Sequence, residues 1–148
     1  MRIPHGAPEA AACLTGGPEA PELAGSVCFY SVRGGTLVAA RIRGLPRSDA
    51  CRFFALHIHE GGDCGGAGFA DSGGHFNPAG AAHPEHAGDL PPLLGCGGRA
   101  FLAVFTDRFR VRDVLGRTVV IHSRPDDFHT QPSGNAGNKI ACGVIRRI

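Results

Sequence analysis

Short apolar runs rich in β-branched and aromatic residues alternate along this chain with stretches in which its 23 glycines and 11 prolines concentrate. That is the pattern of many strands joined by turns, and it predicts an all-β fold. The predicted strands cover residues 11–15, 25–32, 36–43, 52–59, 90–94, 100–105, 117–122 and 139–145. Between the second and third runs stands the pair Gly34-Gly35, a hairpin signal, because glycine reaches positive φ without a Cβ clash. Residues 109–115 have a spacing that also suits a short helix or an irregular crossover, and both readings stay open. Two long segments, residues 61–89 and 123–138, have little regular pattern. Long unpatterned segments inside a compact domain are functional or disordered, and the histidines of the first favour function. No internal repeat and no linker is visible.

Composition narrows the picture. At 148 residues, 43% hydrophobic and 19% charged, the chain suits one domain over residues 1–148 with a sizeable core, residues 1–9 forming a loose N-terminal tail. The net charge of +2 is spread among acids, with no basic stripe for a phosphate backbone, so nucleic acid is not expected as a partner. No stretch approaches the roughly 20 apolar residues that span a bilayer, and no membrane partner is expected. The start, MRIPHGAPEAAACLTGGPEAPELAG, has no apolar central region and does not read as a signal peptide. A cytoplasmic location is expected, with an extracytoplasmic one open should a leader have been removed. The 6 cysteines, at 13, 28, 51, 64, 96 and 142, form no CxxC zinc pair and are too sparse for a disulfide-built miniprotein.

The candidate chemistry lies in the 8 histidines, which fall mostly in or beside the long segments. Residues two apart in a strand share a face, so His57 and His59 in ALHIHE present two imidazoles to one side while Leu56 and Ile58 face the other. An ordinary polar strand face would read the same way. His83, His86 and Asp89 follow at short, regular intervals in HPEHAGD. Two imidazoles and a carboxylate suit a borderline cation such as zinc, with a fourth ligand still required. His75, in GGHFNP, is the candidate for it, and a polar loop with incidental histidines is the alternative. His122 closes the run TVVIH and joins His57 and His59 if its strand neighbours theirs; taken alone, it reads as a satisfied strand-end histidine. A nitrogen-rich set without carboxylate suits copper. His5 and His129 are left without a role.

At this point the motifs match a known family. From about Ala10 to its end the chain resembles the copper/zinc superoxide dismutases, with HIHEGGDC at His57, GGHFNP at His75, HAGDLP at His86, GRTVVIHSRPDD at Gly116 and GNAGNKIACGVI at Gly134, all in the family's order. The resemblance implies an eight-stranded antiparallel Greek-key β-barrel, an immunoglobulin-like sandwich, with two long functional loops. It implies one copper cation held by His57, His59, His75 and His122, and one Zn(2+) held by His75, His83, His86 and Asp89, with His75 bridging the ions as an imidazolate. Asp126, in SRPDD, would accept hydrogen bonds from His57 and His83 and fix their rings. Cys64 and Cys142 match the family's disulfide. Cys13, Cys28, Cys51 and Cys96 have no role in the family and read as small buried hydrophobes. The implied activity is disproportionation of superoxide anion to oxygen and hydrogen peroxide by Cu(II)/Cu(I) cycling beside a structural zinc. His75 would carry the proton and Lys139 would draw in the anion, which makes these two the expected catalytic residues.

Three departures qualify the match. Where the family places an arginine beside the copper, GNAGNK has Lys139, a flexible point charge in place of a planar fork of donors. The segment from His83 to His86 is shorter than in the animal and plant enzymes, and so is residues 123–138, so a lower wall should expose the copper and weaken steering. The family's dimer contacts are not recognisable, which leaves a homodimer open. The rival reading is a non-catalytic copper- and zinc-binding protein of the same fold that stores or delivers copper. Retention of all the ligand positions opposes it, Lys139 and the short loops favour it, and no Cys-rich transfer motif is present. A purely structural interaction module would leave the histidine spacings unexplained.

Overall fold

Arg33 and Gly34 make the tight turn between the second and third strands, with Gly34 at φ 88, a conformation that side chains resist. Gly35 already belongs to the next strand, and a Cβ there would lie 2.2 Å from the carbonyl oxygen of Thr106. The computed structural model describes residues 4–148; residues 1–3, the start of the tail expected over residues 1–9, lie outside the described residues. The strands are β1 (Ala10–Gly16), β2 (Ala24–Val32), β3 (Gly35–Arg43), β4 (Arg52–His59), β5 (Asp89–Gly95), β6 (Arg99–Thr106), β7 (Thr118–His122) and β8 (Lys139–Arg147). Each contains or closely matches one of the predicted runs. The ambiguous segment 109–115 holds a single helical turn, α1 (Val111–Val114), which drives Phe109, Val111 and Val114 into the core at 3%, 1% and 0% exposure.

All neighbouring strands are antiparallel and form one sheet in the order β5-β4-β7-β8-β1-β2-β3-β6. The two ends of that order, β5 and β6, are joined by a tight turn in which Cys96 and Arg99 exchange backbone hydrogen bonds. The sheet therefore curls into a nearly closed barrel. The connections β3 to β4 and β6 to β7 cross between its two halves, which is Greek-key topology. Alternation decides what fills it: Phe29, Phe54, Leu56, Ile58, Val119, Ile121, Ile140 and Ile145 pack inside, each at most 1% exposed. Burying one such side chain contributes about 1.5–3 kcal/mol.

The same alternation puts chemistry on the outside. Leu56 pairs with Ile121 and Ile58 with Val119 in the barrel interior, so the intervening His57, paired with Val120, and His59, paired with Thr118, face outward. All of β7 is nonetheless buried, because the two long segments fold back over this outer face.

Two disulfides tie the structure. Cys64–Cys142 fastens the first long segment to β8, and Cys51–Cys96 clips the start of β4 to the end of β5. The second corrects the sequence reading, in which Cys51 and Cys96 were small buried hydrophobes. Arg52 pairs with Gly95, so the residues just beyond that pair meet at a Cα separation of 4.4 Å. Cys13 and Cys28 are free thiols; Cys13 is exposed and Cys28 half-buried, so neither is the buried hydrophobe expected.

Candidate metal centre

β4 supplies His57 and His59, and the adjacent β7 supplies His122 at its end. His75 reaches them because the chain, after short 3-10 turns over Ala67–Ser72, returns to form an isolated bridge with His59. Potential ligand atoms of His57, His59, His75 and His122 lie within 4.8 Å of one another. Those of His75, His83, His86 and Asp89 form a second such group. His75 belongs to both. Its Nδ1 is 2.7 Å from Asp89 Oδ1 and 3.2 Å from His86 Nδ1, while its Nε2 is buried without any hydrogen-bond partner.

The tautomers follow from the surroundings. His57 Nε2 donates to Asp126 Oδ2 at 2.8 Å, and His59 Nδ1 donates to the Gly73 carbonyl at 2.7 Å. The opposite nitrogens, His57 Nδ1 and His59 Nε2, therefore carry lone pairs, and both converge on His122 Nε2 at 3.1 and 3.3 Å. His83 Nε2 donates to Asp126 Oδ1 at 2.8 Å, which leaves the lone pair of His83 Nδ1 facing Asp89 Oδ2 at 3.0 Å. Two acceptors in contact repel unless a cation lies between them. Converging lone pairs, an orphaned His75 Nε2 and an orphaned His83 Nδ1 thus fit one cation in each group. The first group, all imidazole, suits copper; the second, three imidazoles and a carboxylate, suits zinc.

The electrostatics favour metal over protons. Burial, opposed by the Gly73 hydrogen bond and reinforced by His122, His75 and Lys139, lowers the His59 pKa to about 2. Burial with His57, His75 and Lys139 lowers His122 to about 3. These rings stay neutral, and a neutral ring can bind a metal. Burial would raise Asp126, but hydrogen bonds from His57, His83 and the Phe128 N–H outweigh it and hold the carboxyl well below the usual range. Gly134 makes room for this carboxylate: at φ 70, its Cβ would fall 2.0 Å from Asp126 Oδ1.

Lys139, beside His122 across the β7–β8 pair, donates from Nζ to the Gly73 carbonyl and to Ser72 Oγ, both at 2.8 Å. The Gly73 carbonyl thus joins the Lys139 ammonium to the His59 ring. Burial lowers the pKa of Lys139. The two long segments keep His57, His59 and His122 at 0%, 2% and 3% exposure, against the expectation of a more exposed copper site. His129 stands 80% exposed beside Asp127, away from both groups, and His5 is also exposed.

Some supports were invisible in the sequence. Gln131 brackets His83, accepting from its N–H and donating to its carbonyl at 2.8 Å each, while Arg108 Nη1 donates to the carbonyls of Pro84 and His86. Both act on backbone atoms far away in sequence, so no local spacing marks them.

Barrel and site together define a metalloprotein whose two adjoining groups of candidate ligands have one imidazole in common. The chain matches the family described as copper/zinc superoxide dismutase (SODC) over residues 23–145. It is 36% identical over 140 residues to superoxide dismutase [Cu-Zn] 2 of Aquifex aeolicus, covering 84% of this chain and 80% of that one. It is 34% identical over 149 residues to superoxide dismutase [Cu-Zn] of Deinococcus radiodurans, covering 86% and 79%. The Cu/Zn superoxide dismutase from Brucella abortus shares the fold at a TM-score of 0.76, covering 92% of this chain and 99% of that one at 24% identity. This chain belongs to the copper/zinc superoxide dismutase family.

Proposed function

We propose that the protein is a copper- and zinc-dependent superoxide dismutase, with copper held by His57, His59, His75 and His122 and zinc by His75, His83, His86 and Asp89. The carrying observation is that His75 belongs to both ligand groups and has a buried, unpartnered Nε2. Bound copper would supply the one-electron redox chemistry by which two superoxide anions become oxygen and hydrogen peroxide. The chain's own residues do the rest. Lys139 Nζ, fixed by Ser72 and Gly73, holds positive charge beside the histidine face and draws the anion toward it. His75 Nε2 is the atom that takes up and returns one of the two protons that peroxide formation consumes, the other coming from solvent water. Asp126 holds the His57 and His83 rings in one tautomer and raises their basicity as ligands. Before zinc binds, Asp89 accepts a hydrogen bond from His75 Nδ1 and holds the ring in place.

A storage or delivery role is not favoured, since the relatives at 36% and 34% identity are named superoxide dismutases and both candidate ligand groups are complete. Two disulfides fit an oxidising compartment better than the cytoplasm that the sequence led us to expect. Among the described residues no helix is long and apolar enough to cross a membrane. The test is His122→Ala. The variant should fold, retain one zinc per chain, lose copper and lose turnover; undiminished dismutation would overturn the assignment.

A further inference from the structure

The outer face of β2, β3 and β6, strands that supply no ligand to the metal centre, carries positive charge that the chain leaves uncompensated. Arg43 on β3 stands directly opposite Arg99 on β6, and Arg41 lies two residues from Arg43 on the same face. Like charges directly opposite across a strand pair are destabilising. Relief from a carboxylate is missing: among the described residues the arginines within 4.0 Å of one are Arg112 and Arg147. The three cations line a groove of about 690 Å³ that contains no acidic residue. Its volume falls in the range of small-molecule sites, about 300–1,000 Å³.

The walls add shape and an apolar component. Arg41 lies with its guanidinium 4.8 Å from the centre of the Phe101 ring, its cross-strand partner, which orients the fork over the groove. Phe101 and Leu94, 53% and 46% exposed, form an apolar wall, and Ser26, opposite Arg41 on β2, offers a hydroxyl. Guanidinium forks match phosphate oxygens in pairs, whereas a carboxylate would occupy only one of the three.

We propose that this groove binds a phosphorylated small molecule with a flat apolar body, the phosphates seated among Arg41, Arg43 and Arg99 and the body against Phe101 and Leu94. The ligand supplies the charge that the Arg43–Arg99 pair lacks. It is independent of the reaction at the metal centre.

Calorimetry on the metal-loaded protein tests this, with ATP as probe beside inorganic tripolyphosphate and adenosine. ATP should bind at one per chain, more tightly than tripolyphosphate, with an affinity that falls as salt rises; adenosine should not bind. The double variant Arg43→Gln, Arg99→Gln should weaken ATP at least tenfold while holding the same metals and dismuting superoxide at the same rate, which separates the groove from chelation of copper or zinc by ATP. With one like-charge pair removed, its thermal midpoint without ATP should rise. Arg41→Gln alone should give a smaller loss, and serves should the double variant fold poorly. Absence of saturable ATP binding, or equal binding by the wild type and the Arg43→Gln, Arg99→Gln variant, would overturn the site, and equal affinity for ATP and tripolyphosphate would overturn the organic ligand.

Discussion

At the scale of single residues, the account turns on side chains that hold other side chains. Asp126 is 5% exposed and accepts from two rings, one from each ligand group. In Asp126→Ala both buried ring N–H groups lose their acceptor, and we expect the metal-free protein to lose about 2–6 kcal/mol, at about 1–3 kcal/mol per unsatisfied group. Zinc affinity should fall about 10–100-fold. Denaturant unfolding and chelator competition measure the two effects, and unchanged zinc affinity would contradict the positioning role. Lys139 makes a different prediction: Lys139→Ala should lower kcat/KM about tenfold at full copper content and flatten its dependence on ionic strength, while Lys139→Arg preserves both. A rate in Lys139→Ala as salt-sensitive as the wild type would remove Lys139 from steering. Much of this scale was legible. The HxH spacing needed only the strand period, and the cluster His83, His86 and Asp89 only its density. The convergence of the two groups on His75 was known through resemblance alone, because it depends on how a long segment folds back over β4.

At the scale of elements, the strands were readable because apolar alternation and glycine turns agreed, and their observed ends differ from the predicted ones by a residue or two. The exception among the connections was α1, where Phe109, Val111 and Val114 satisfy either period and only packing decides. The Cys51–Cys96 bond was not readable, since it follows from the β4–β5 register and not from any local spacing. It closes 45 residues, worth about 4 kcal/mol in chain-entropy terms, and lies apart from both ligand groups. Cys51→Ser with Cys96→Ser should therefore lower the unfolding free energy by about that amount at an unchanged dismutation rate. Thermal unfolding and an activity assay on the same preparation check it, and a large fall in rate at full metal content would show that β4 is held in place by this clip.

For the whole molecule, the barrel is a rigid outer wall on which the histidines stand, and the loops close over them. Such a site is costly to protonate. His59 and His122 have pKa values lowered from 6.5 to about 2 and about 3, so below pH 6.5 the unfolded chain takes up protons that the folded one refuses. Stability of the metal-free protein should thus fall as pH drops from about 6.5 toward 3, with the depressed Asp126 adding loss of the same sign at the acid end. Bound metals should shift the whole profile upward by mass action. Urea midpoints across pH, with and without metals, measure this, and a metal-free protein equally stable at pH 7 and pH 4 would contradict it.

The most direct measurement is the rate of superoxide loss catalysed by the protein carrying one copper and one zinc, set beside the zinc-only protein. The account predicts rapid turnover that requires copper and is absent from the zinc-only form, with Lys139 sufficient in place of arginine. Stoichiometric binding of both metals with no turnover would contradict it, and would leave a copper-holding barrel in which Lys139→Arg is the next variant to make.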